Sequence, residues 1–284
     1  SMMKIMTWLI GPALCIPLLA SPALAADQGA DDGQVDDGAP ILGTEPVDGE
    51  AMALLRRMAE RLAQAKGFSV SIRAGYDVVQ DSGQKIEFGE ERKVLLSRPG
   101  GLRVEAEQSV GDRRLIYFDG KTLTVADPDQ KVYAQVERTG TVDDAVRYLV
   151  RDLQVRVPLA LLLSTTLPTD LERRIQSLDY VEQDRLTEVP TAHLAGRTAD
   201  VDFQLWIAGE GEPLPRRMVI TYKHEEGQPQ FWAQFSDWNL SPQVSDSQFA
   251  FEPPEGAERI PFVVRVAKDD VAGSDKSEPK GGAQ

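Results

Sequence analysis

The sequence predicts a mainly β (α+β) protein, in which a strongly curved antiparallel sheet forms an open half-barrel and helices inserted midway form a lid. Two observations predict the sheet: apolar and polar residues alternate over many short segments, and turn signals separate these segments. A third predicts the lid, since residues 142–163 carry apolar residues at helical spacing and interrupt the alternation. Because helices do not separate successive strands elsewhere, we expect one antiparallel sheet.

The N-terminus predicts export. Lys4 precedes an uncharged run from Ile5 to Ala26, which three prolines interrupt and in which Ala23-Leu24-Ala25 gives the small-x-small pattern of a cleavage point. We therefore expect residues 1–25 to be a signal peptide, cleaved after Ala25, and the protein to be periplasmic. A permanent membrane anchor is the alternative, because the run is long enough to span a bilayer.

Two charged segments flank the predicted domain. Between Asp27 and Glu50 there are eight acidic residues and no basic one, so residues 26–48 are expected to be an acidic, disordered leader. Residues 267–284 are rich in Gly, Ser and charge and are expected to be a disordered tail. Residues 49–266 would then form a single half-barrel domain.

Charge and cysteine content exclude several functions. The net charge of −14, from 31 basic and 45 acidic residues, would repel nucleic acid and anionic headgroups. The only cysteine, Cys15, lies in the predicted signal peptide and follows Leu14, whereas a lipoprotein signal needs a small residue there. The cleaved chain would contain no cysteine, which excludes disulfides and thiol catalysis.

A helix opens the predicted domain and strands follow it. Apolar residues at helical spacing run from Met52 to Leu62, and Gly67 ends the helix. The run FSVSIRAGYDVV then alternates, with Val70 and Ile72 on one face. Further strands are expected at Lys85–Ser97, at Leu102–Gln108 and in LIYFDGKTLTVADPDQKVYAQV, where Asp119-Gly120 and Asp127-Pro128-Asp129 are turn signals.

The interruption that follows is helical and unusually apolar. Thr141 is a helix cap before a stripe that includes Leu149, and Pro158 opens the run LALLLS. The motif Thr169-Asp170-Leu171-Glu172 predicts the capping box of a third short helix. A helix as apolar as Leu159–Leu163 needs burial on several sides. We therefore expect it to pack against the concave face of the sheet.

Strands resume in the second half. They are expected at Leu178–Gln183, Ala192–Thr198, Val201–Ala208, Arg217–Lys223 and Gln230–Asn239. Alternation places Trp206, Trp232 and Trp238 on the face opposite the concave rows, where they would pack against the first helix or form a docking patch. The motif PLPRR is expected to open an edge strand, where proline is tolerated, and Arg216 and Arg217 could contact a carboxylate or phosphate.

Several motifs resemble a family of uncharacterised predicted periplasmic bacterial proteins similar to the LolA/LolB lipoprotein-carrier superfamily. They are VDFQLWIAGEGEPLPRRMVITYK, GQPQFWAQFSDWNL, FAFEPPEGAERI and YFDGKTLTVADPDQKVYAQV, and the resemblance extends from about Met52 to about Ile260. It implies a LolA-like open β-barrel closed by helices around an apolar cavity for acyl chains. It implies no reaction.

The expected function is to bind or carry a hydrophobic, lipid-like or acylated ligand in the periplasm. The cavity would be lined by Val70, Ile72, Leu149, Leu159, Leu162, Phe203, Leu205, Phe231 and Phe235. These residues could instead fill the barrel themselves. The alternative function is an envelope sensor that binds a polypeptide through the same half-barrel. Expected partners are a lipid or acyl-chain ligand and a membrane-associated donor or acceptor protein, with no nucleic acid, and the protein is expected to be a monomer.

The residues that could support catalysis do not form a recognisable pattern. The two histidines, His193 and His224, are far apart in the sequence, and no HExxH motif or close ligand spacing accompanies them. The nucleophile motif Gly-x-Ser-x-Gly is absent. We therefore expect no enzyme activity, no cofactor and no metal.

Overall fold

The computed structural model describes residues 46–152 and 159–262. The predicted signal peptide, most of the acidic leader and the predicted tail lie outside these residues and stay predictions. The described chain forms one 12-stranded sheet with helices on its concave side. The predicted fold class, an open and strongly bent antiparallel sheet with helices inserted midway, is confirmed.

The strands follow the predicted pattern closely. They are β1 (Gly67–Val79), β2 (Lys85–Ser97), β3 (Gly101–Gln108), β4 (Arg113–Phe118), β5 (Thr122–Asp127), β6 (Val132–Glu137), β7 (Ser177–Asp184), β8 (Thr191–Arg197), β9 (Asp202–Ala208), β10 (Pro215–Thr221), β11 (Gln230–Asn239) and β12 (Glu258–Arg259). Their order in the sheet is β12-β6-β5-β4-β3-β2-β1-β11-β10-β9-β8-β7. The strands pair antiparallel except for β12, which is parallel to β6. Two meanders, β1–β6 and β7–β11, therefore meet at the β1–β11 pair.

The helical elements are α1 (Gly49–Gln64), α2 (Val142–Arg147) with a π-helical turn (Tyr148–Asp152), a 3₁₀ turn (Ala160–Leu163), α3 (Leu167–Arg174) and a second 3₁₀ turn (Asp246–Gln248). We call residues 142–152 and 159–174 the cover. The third helix begins at Leu167 rather than after Thr169. Proline is favoured in the first helical turn, and Pro168 occupies that place.

The first helix is amphipathic and packs on the concave side. Asp48 caps it, because its side chain accepts hydrogen bonds from the N–H groups of Glu50 and Ala51. Its buried stripe includes Leu55, Met58 and Leu62. The stripe is the one that the sequence predicts.

A left-handed residue changes one predicted face. Asp237 has φ +54°, which breaks the alternation near the end of β11. Trp238 therefore packs with the core rather than on the outer face. Its ring contacts Phe68 edge-on at 5.4 Å and stacks with Phe235 at 5.9 Å, and its indole N–H donates to the carbonyl of Pro215. The prediction for Trp238 was wrong.

The motif PLPRR does not open an edge strand. It leads into β10, which pairs with β9 on one side and with β11 on the other. The register shifts between Pro215 and Arg217, and this irregularity lets an interior ladder contain a proline, which has no N–H to donate.

The N-terminus of α2 is held by a capping box. The N–H of Asp144 donates to the hydroxyl of Thr141, and the Asp144 carboxylate accepts from the N–H and the hydroxyl of Thr141. Arg147 also donates to this carboxylate. The N–H of Thr141, with its hydroxyl and Arg147, holds the pKa of Asp144 below its ordinary value. The charged form of Asp144 therefore stabilises the cover.

Replacing Phe68 with alanine should lower the free energy of unfolding by about 3–5 kcal/mol, because a buried aromatic ring is lost and a cavity remains. Phe68 is 1% exposed. Urea unfolding measures the change. Val110→Ala is the control, since Val110 is 73% exposed and should change stability by no more than about 0.5 kcal/mol. Equal effects of the two substitutions would contradict this packing.

Acid should loosen α2 before it unfolds the sheet. A depressed pKa contributes stability that is complete above the unfolded-state pKa of about 3.9 and is lost as the pH falls through the lower folded value. Amide exchange of residues 142–147 should therefore accelerate relative to β1 as the pH falls below about 4. Asp144→Asn cannot titrate and should remove this difference in pH dependence. A wild-type pH dependence that survives in Asp144→Asn would contradict the role of the carboxylate.

Candidate ligand-binding face

The nine side chains predicted to line a cavity come together on the concave side. Val70 and Ile72 (β1), Phe203 and Leu205 (β9), Phe231 and Phe235 (β11), and Leu149, Leu159 and Leu162 (cover) belong to one apolar cluster or pack against it. Phe203 is half-buried and the other eight are buried. Their grouping matches the prediction, while their role in binding stays a prediction.

The part of the concave face beneath α1 is closely packed. Leu62, Phe68, Leu96 and Leu205 expose at most 1% of their surface. A void that admits water would expose the side chains that line it, so this part of the half-barrel is filled by the protein's own residues. This packing agrees with the filled-barrel alternative for this part of the face.

A row of large apolar side chains crosses the same face farther along the strands. Phe88 lies opposite Tyr76, Tyr76 opposite Phe231, Phe231 opposite Ile220, and Ile220 opposite Phe203. We call these five residues the aromatic row. Five adjacent strands at about 4.8 Å spacing give the row a length of about 19 Å. Phe88, Tyr76 and Phe203, which lie towards its ends, are only half-buried.

Glycine makes room for the row at one end. The Phe203 ring packs closely on Gly196 of β8, because glycine has no Cβ atom. A Cβ atom at this position would lie 2.3 Å from the ring. Phe88 and Tyr76 stack at the other end, with ring centroids 6.2 Å apart. The row therefore offers a continuous apolar strip rather than isolated rings.

A charged pair interrupts the concave face next to this row. Arg92 and Glu90 form an ion pair, and their side chains are 15% and 11% exposed. The Arg92 guanidinium also lies 5.9 Å from the centre of the Phe231 ring. Burial, with a smaller contribution from Glu90, raises the pKa of Tyr76, although Arg92 acts in the opposite direction. The Tyr76 hydroxyl is therefore neutral and can both donate and accept.

The sequence analysis missed this pair, although β2 contains a signal. Its inward residues read Phe88, Glu90, Arg92, Val94 and Leu96, because each lies opposite an inward residue of β1. Two opposite charges within an otherwise apolar row indicate a polar site on a buried face. A second ion pair on the same face, between Arg114 and Asp127 at 2.8 Å, is almost fully buried.

One arginine joins the cover to the sheet and to α1. Arg98, in the turn between β2 and β3, donates to the carbonyl of Leu62 in α1 at 3.2 Å and to the carbonyl of Leu163 in the cover at 3.4 Å. Burial lowers the pKa of Arg98, and the charge of Asp143 partly offsets this. The Asp143 carboxylate accepts from the N–H of Thr165 within the cover. Arg98 thus connects three elements through one side chain.

The outer face holds Arg217 between two tryptophans. Its guanidinium lies 5.4 Å from the Trp206 ring and 5.5 Å from the Trp232 ring, and His193 stacks on Trp206 at 4.1 Å. Since α1 is on the concave side, these tryptophans do not pack against it, contrary to that expectation. Arg216 has a buried Nε atom without a hydrogen-bond partner. A partner contact at Arg216 and Arg217 stays a prediction.

Within residues 46–152 and 159–262, no three His, Cys, Asp or Glu side chains lie close enough to hold a metal ion. In the same part of the chain, no helix has the length and apolar character needed to cross a membrane. The candidate site is therefore described by apolar contacts and two ion pairs.

Replacing Arg98 with methionine should loosen the cover, because the carbonyls of Leu62 and Leu163 lose their shared donor. We expect amide exchange in residues 159–167 to accelerate about tenfold, while that of β5 stays unchanged. Arg185→Met is the control for loss of charge, because Arg185 is exposed and lies outside the cover, in the loop between β7 and β8. Unchanged exchange in Arg98→Met would contradict this connection.

Among solved structures, the chain is similar to the Pseudomonas aeruginosa MucA/MucB complex (19% identity, TM-score 0.40), with 72% of this chain and 62% of that chain covered. It is also similar to the Mycobacterium tuberculosis lipoprotein LppX (15% identity, TM-score 0.42; 70% and 100% covered). A third similar structure is a LolA superfamily protein from Nitrosomonas europaea (13% identity, TM-score 0.35; 71% and 97% covered). The chain thus spans less than two thirds of the MucA/MucB match.

No curated protein matches the sequence. A family model does match it, over residues 51–263, and these include most of α1, the cover and all twelve strands. The family is described as predicted periplasmic protein (DUF2092), in agreement with the family that the sequence motifs resemble. This chain belongs to the DUF2092 family.

Proposed function

We propose that this protein binds a hydrophobic, lipid-like or acylated ligand on its concave face and carries it through the periplasm without changing it chemically. The observation that carries this proposal is the aromatic row, Phe88–Tyr76–Phe231–Ile220–Phe203, which crosses five strands of the sheet. Its length of about 19 Å suits an extended long acyl chain. Its half-buried ends give a ligand a place to begin binding.

Binding requires the cover to move. Leu149, Leu159 and Leu162 of the cover are buried within the apolar cluster, and an acyl chain that extends beneath the cover would take their place. Exposing three leucines costs about 5–9 kcal/mol, whereas burying about sixteen carbons gains on the order of 12 kcal/mol. The exchange is therefore favourable for a long chain and unfavourable for a short one. The packed interior is then the ligand-free state of the carrier.

Two features of the cover support such a movement. The 3₁₀ turn Ala160–Leu163 has only four residues, too few for a stable helix by itself. Its packing against α1 and α2 therefore maintains it. Arg98 is the polar connection that would break and re-form as the cover moves.

The ion pair gives the site a place for a polar head group. Arg92 lies beside Phe231, so a carboxylate or phosphate at the end of an acyl chain in the aromatic row could compete with Glu90 for the guanidinium. No reaction follows from this arrangement, because it orients a head group and supplies no nucleophile. The expected ligand is therefore an acyl chain with an anionic head, which Arg92 would attract locally although the net charge of the protein is negative.

A periplasmic location is consistent with a carrier of acyl chains. The family is described as predicted periplasmic, and the first 25 residues read as a signal peptide cleaved after Ala25. A long acyl chain does not cross an aqueous compartment unaided, because its exposed methylenes cost about 0.8 kcal/mol each. A membrane-associated donor protein would load the carrier, or an acceptor protein would unload it. We propose that the carrier itself is a monomer.

A second candidate function is recognition of a polypeptide by an envelope sensor. Two observations favour it: the face beneath α1 is filled, and β7 is an edge strand that pairs with β8 on one side only. An isolated parallel bridge between Val47 and Leu178 already occupies the start of that edge. An extended peptide could add to the rest of it.

Lipid extraction distinguishes these functions. The protein, expressed with its signal peptide and purified from the periplasm without detergent, should release one lipid per chain into organic solvent, identified by mass spectrometry. Phe203→Glu should abolish the bound lipid, because it places a carboxylate in the aromatic row. Gln204→Glu is the matched control, since Gln204 is the next residue of β9 and faces the other side.

Circular dichroism must show that both variants remain folded. A protein that carries no lipid and cannot be loaded with fatty acids or phospholipids would overturn the carrier function and favour the polypeptide sensor. Equal lipid content in Phe203→Glu and Gln204→Glu would place the ligand somewhere other than the aromatic row.

A further inference from the structure

The motif FAFEPPEGAERI builds a strap across the outer face of the sheet. We call residues 247–257 the strap. Phe249 anchors its beginning, because its ring packs on Gly101, where a Cβ atom would lie 2.8 Å from the ring. β12 anchors its end, because the N–H of Glu258 donates to the carbonyl of Lys131 and the N–H of Ile260 to that of Tyr133. The strap is therefore held at both ends.

Between these anchors the strap encloses a pocket with the sheet. The volume of the pocket is about 460 Å³, within the range of small-molecule sites. Leu115, Tyr117 and Ala126 line it from the sheet, and Phe251 lines it from the strap. Leu115 and Tyr117 alternate along β4 with the core residues Ile116 and Phe118, so this pocket lies on the face opposite the aromatic row.

Aromatic rings give the pocket a flat apolar wall. The centre of the Phe251 ring lies 5.6 Å from that of Tyr117 and 5.3 Å from that of Tyr133. Burial raises the pKa of Tyr117, so its phenol is neutral at physiological pH. Planar ligands gain by stacking or edge contacts with such rings. The shape and polarity of the wall favour an aromatic ligand.

Two cations lie at the pocket. The Arg103 guanidinium is 5.1 Å from the centre of the Tyr117 ring. Lys131 is exposed, lines the pocket and forms no ion pair within the described residues. Of the two acids that line the pocket, Asp127 is already paired with Arg114, and Glu252 is on the strap. Lys131 therefore provides a positive charge without a partner beside an apolar wall.

Lys131 ends the β5–β6 turn with φ +54°, a left-handed conformation that favours glycine. Glycine is therefore the substitution at this position that removes the ammonium group and keeps the backbone of the turn.

We propose that the strap pocket binds a small aromatic carboxylate, with its ring against Phe251 and Tyr117 and its carboxylate at Lys131. Arg103 also lines the pocket, but its charge is compensated by an ion pair with Glu105, so Lys131 is the cation on which carboxylate binding depends. This site is separate from the concave face and does not depend on the proposed carrier function. It gives the family motif FEPPEGA a role in forming a binding site.

The test uses naphthalene-2-carboxylate as the probe and its neutral amide as the matched ligand. Isothermal titration measures the dissociation constant of each for the purified mature protein. Lys131→Gly should weaken carboxylate binding about fivefold or more and leave amide binding unchanged, because only the carboxylate uses the charge. Gln228→Gly is the matched backbone control, since Gln228 also has positive φ (46°) and lies in another turn. It should leave both ligands unchanged.

Phe251→Ala should weaken both ligands about tenfold, through the loss of the aromatic wall. Because Phe251 also helps to hold the strap, Ala250→Phe provides a second route: Ala250 is exposed and lines the pocket, so a ring there should fill the space and block binding.

Absence of carboxylate binding to the wild-type protein would overturn the proposal, as would equal binding to wild type, Lys131→Gly and Ala250→Phe. Probe binding that Phe203→Glu abolishes and Ala250→Phe preserves would also overturn it, by placing the probe on the concave face. A loss of lipid in Phe203→Glu together with intact probe binding would keep the two sites distinct.

Discussion

The pairing of β1 with β11 is the interaction on which the rest of the structure depends. It joins two meanders that are separate along the chain, and it places Ile72 opposite Phe235 and Tyr76 opposite Phe231. Without it each meander would have an additional unpaired edge, whose N–H and C=O groups need partners. The concave face, the aromatic row and the site for α1 all include residues from both sides of this pair. Loop closure over so long a stretch of chain has an entropic cost, which the apolar cluster on the concave side must offset.

The two faces of the sheet differ in what they offer a ligand. On the concave side, leucines of the cover belong to the same apolar cluster as the proposed ligand-binding residues, so the carrier function that we propose would couple binding to movement of the cover. On the outer side, the strap leaves a pocket that is already open, and no element must move to fill it. The first arrangement suits a long flexible chain and the second a small rigid molecule, because a preformed pocket loses less entropy on binding.

Charge is arranged differently on the two faces as well. The concave cations Arg92 and Arg114 are each paired with an acid on the same or the next strand, as burial requires. Arg217 on the outer face instead lies between two indole rings, and Lys131 is exposed without an ion pair in the described chain. A strongly acidic protein thus keeps a few cations at defined places, where an anionic group would meet them.

Local patterns determined much of this architecture. Alternation located the strands from β1 to β11, because side chains point to opposite faces with a period of two whatever the partner strand is. The same alternation placed Val70, Ile72, Phe203 and Leu205 on the concave face, where the structure has them. Helical spacing and caps likewise located α1 and α2, since these depend on residues within one or two turns.

Tertiary structure alone decided which residues that are far apart in the chain become neighbours. Nothing local reveals that β10 is interior, since an edge and an interior strand share one alternation and only pairing separates them. Trp238 packs with the core rather than on the outer face, because the left-handed residue Asp237 interrupts the two-residue alternation of side chains in β11. The concave charge of Arg114 became acceptable only when folding brought Asp127 of the neighbouring strand within reach. Strand positions thus follow from local chemistry, whereas pairing partners, and with them both candidate sites, depend on contacts between residues far apart in the chain.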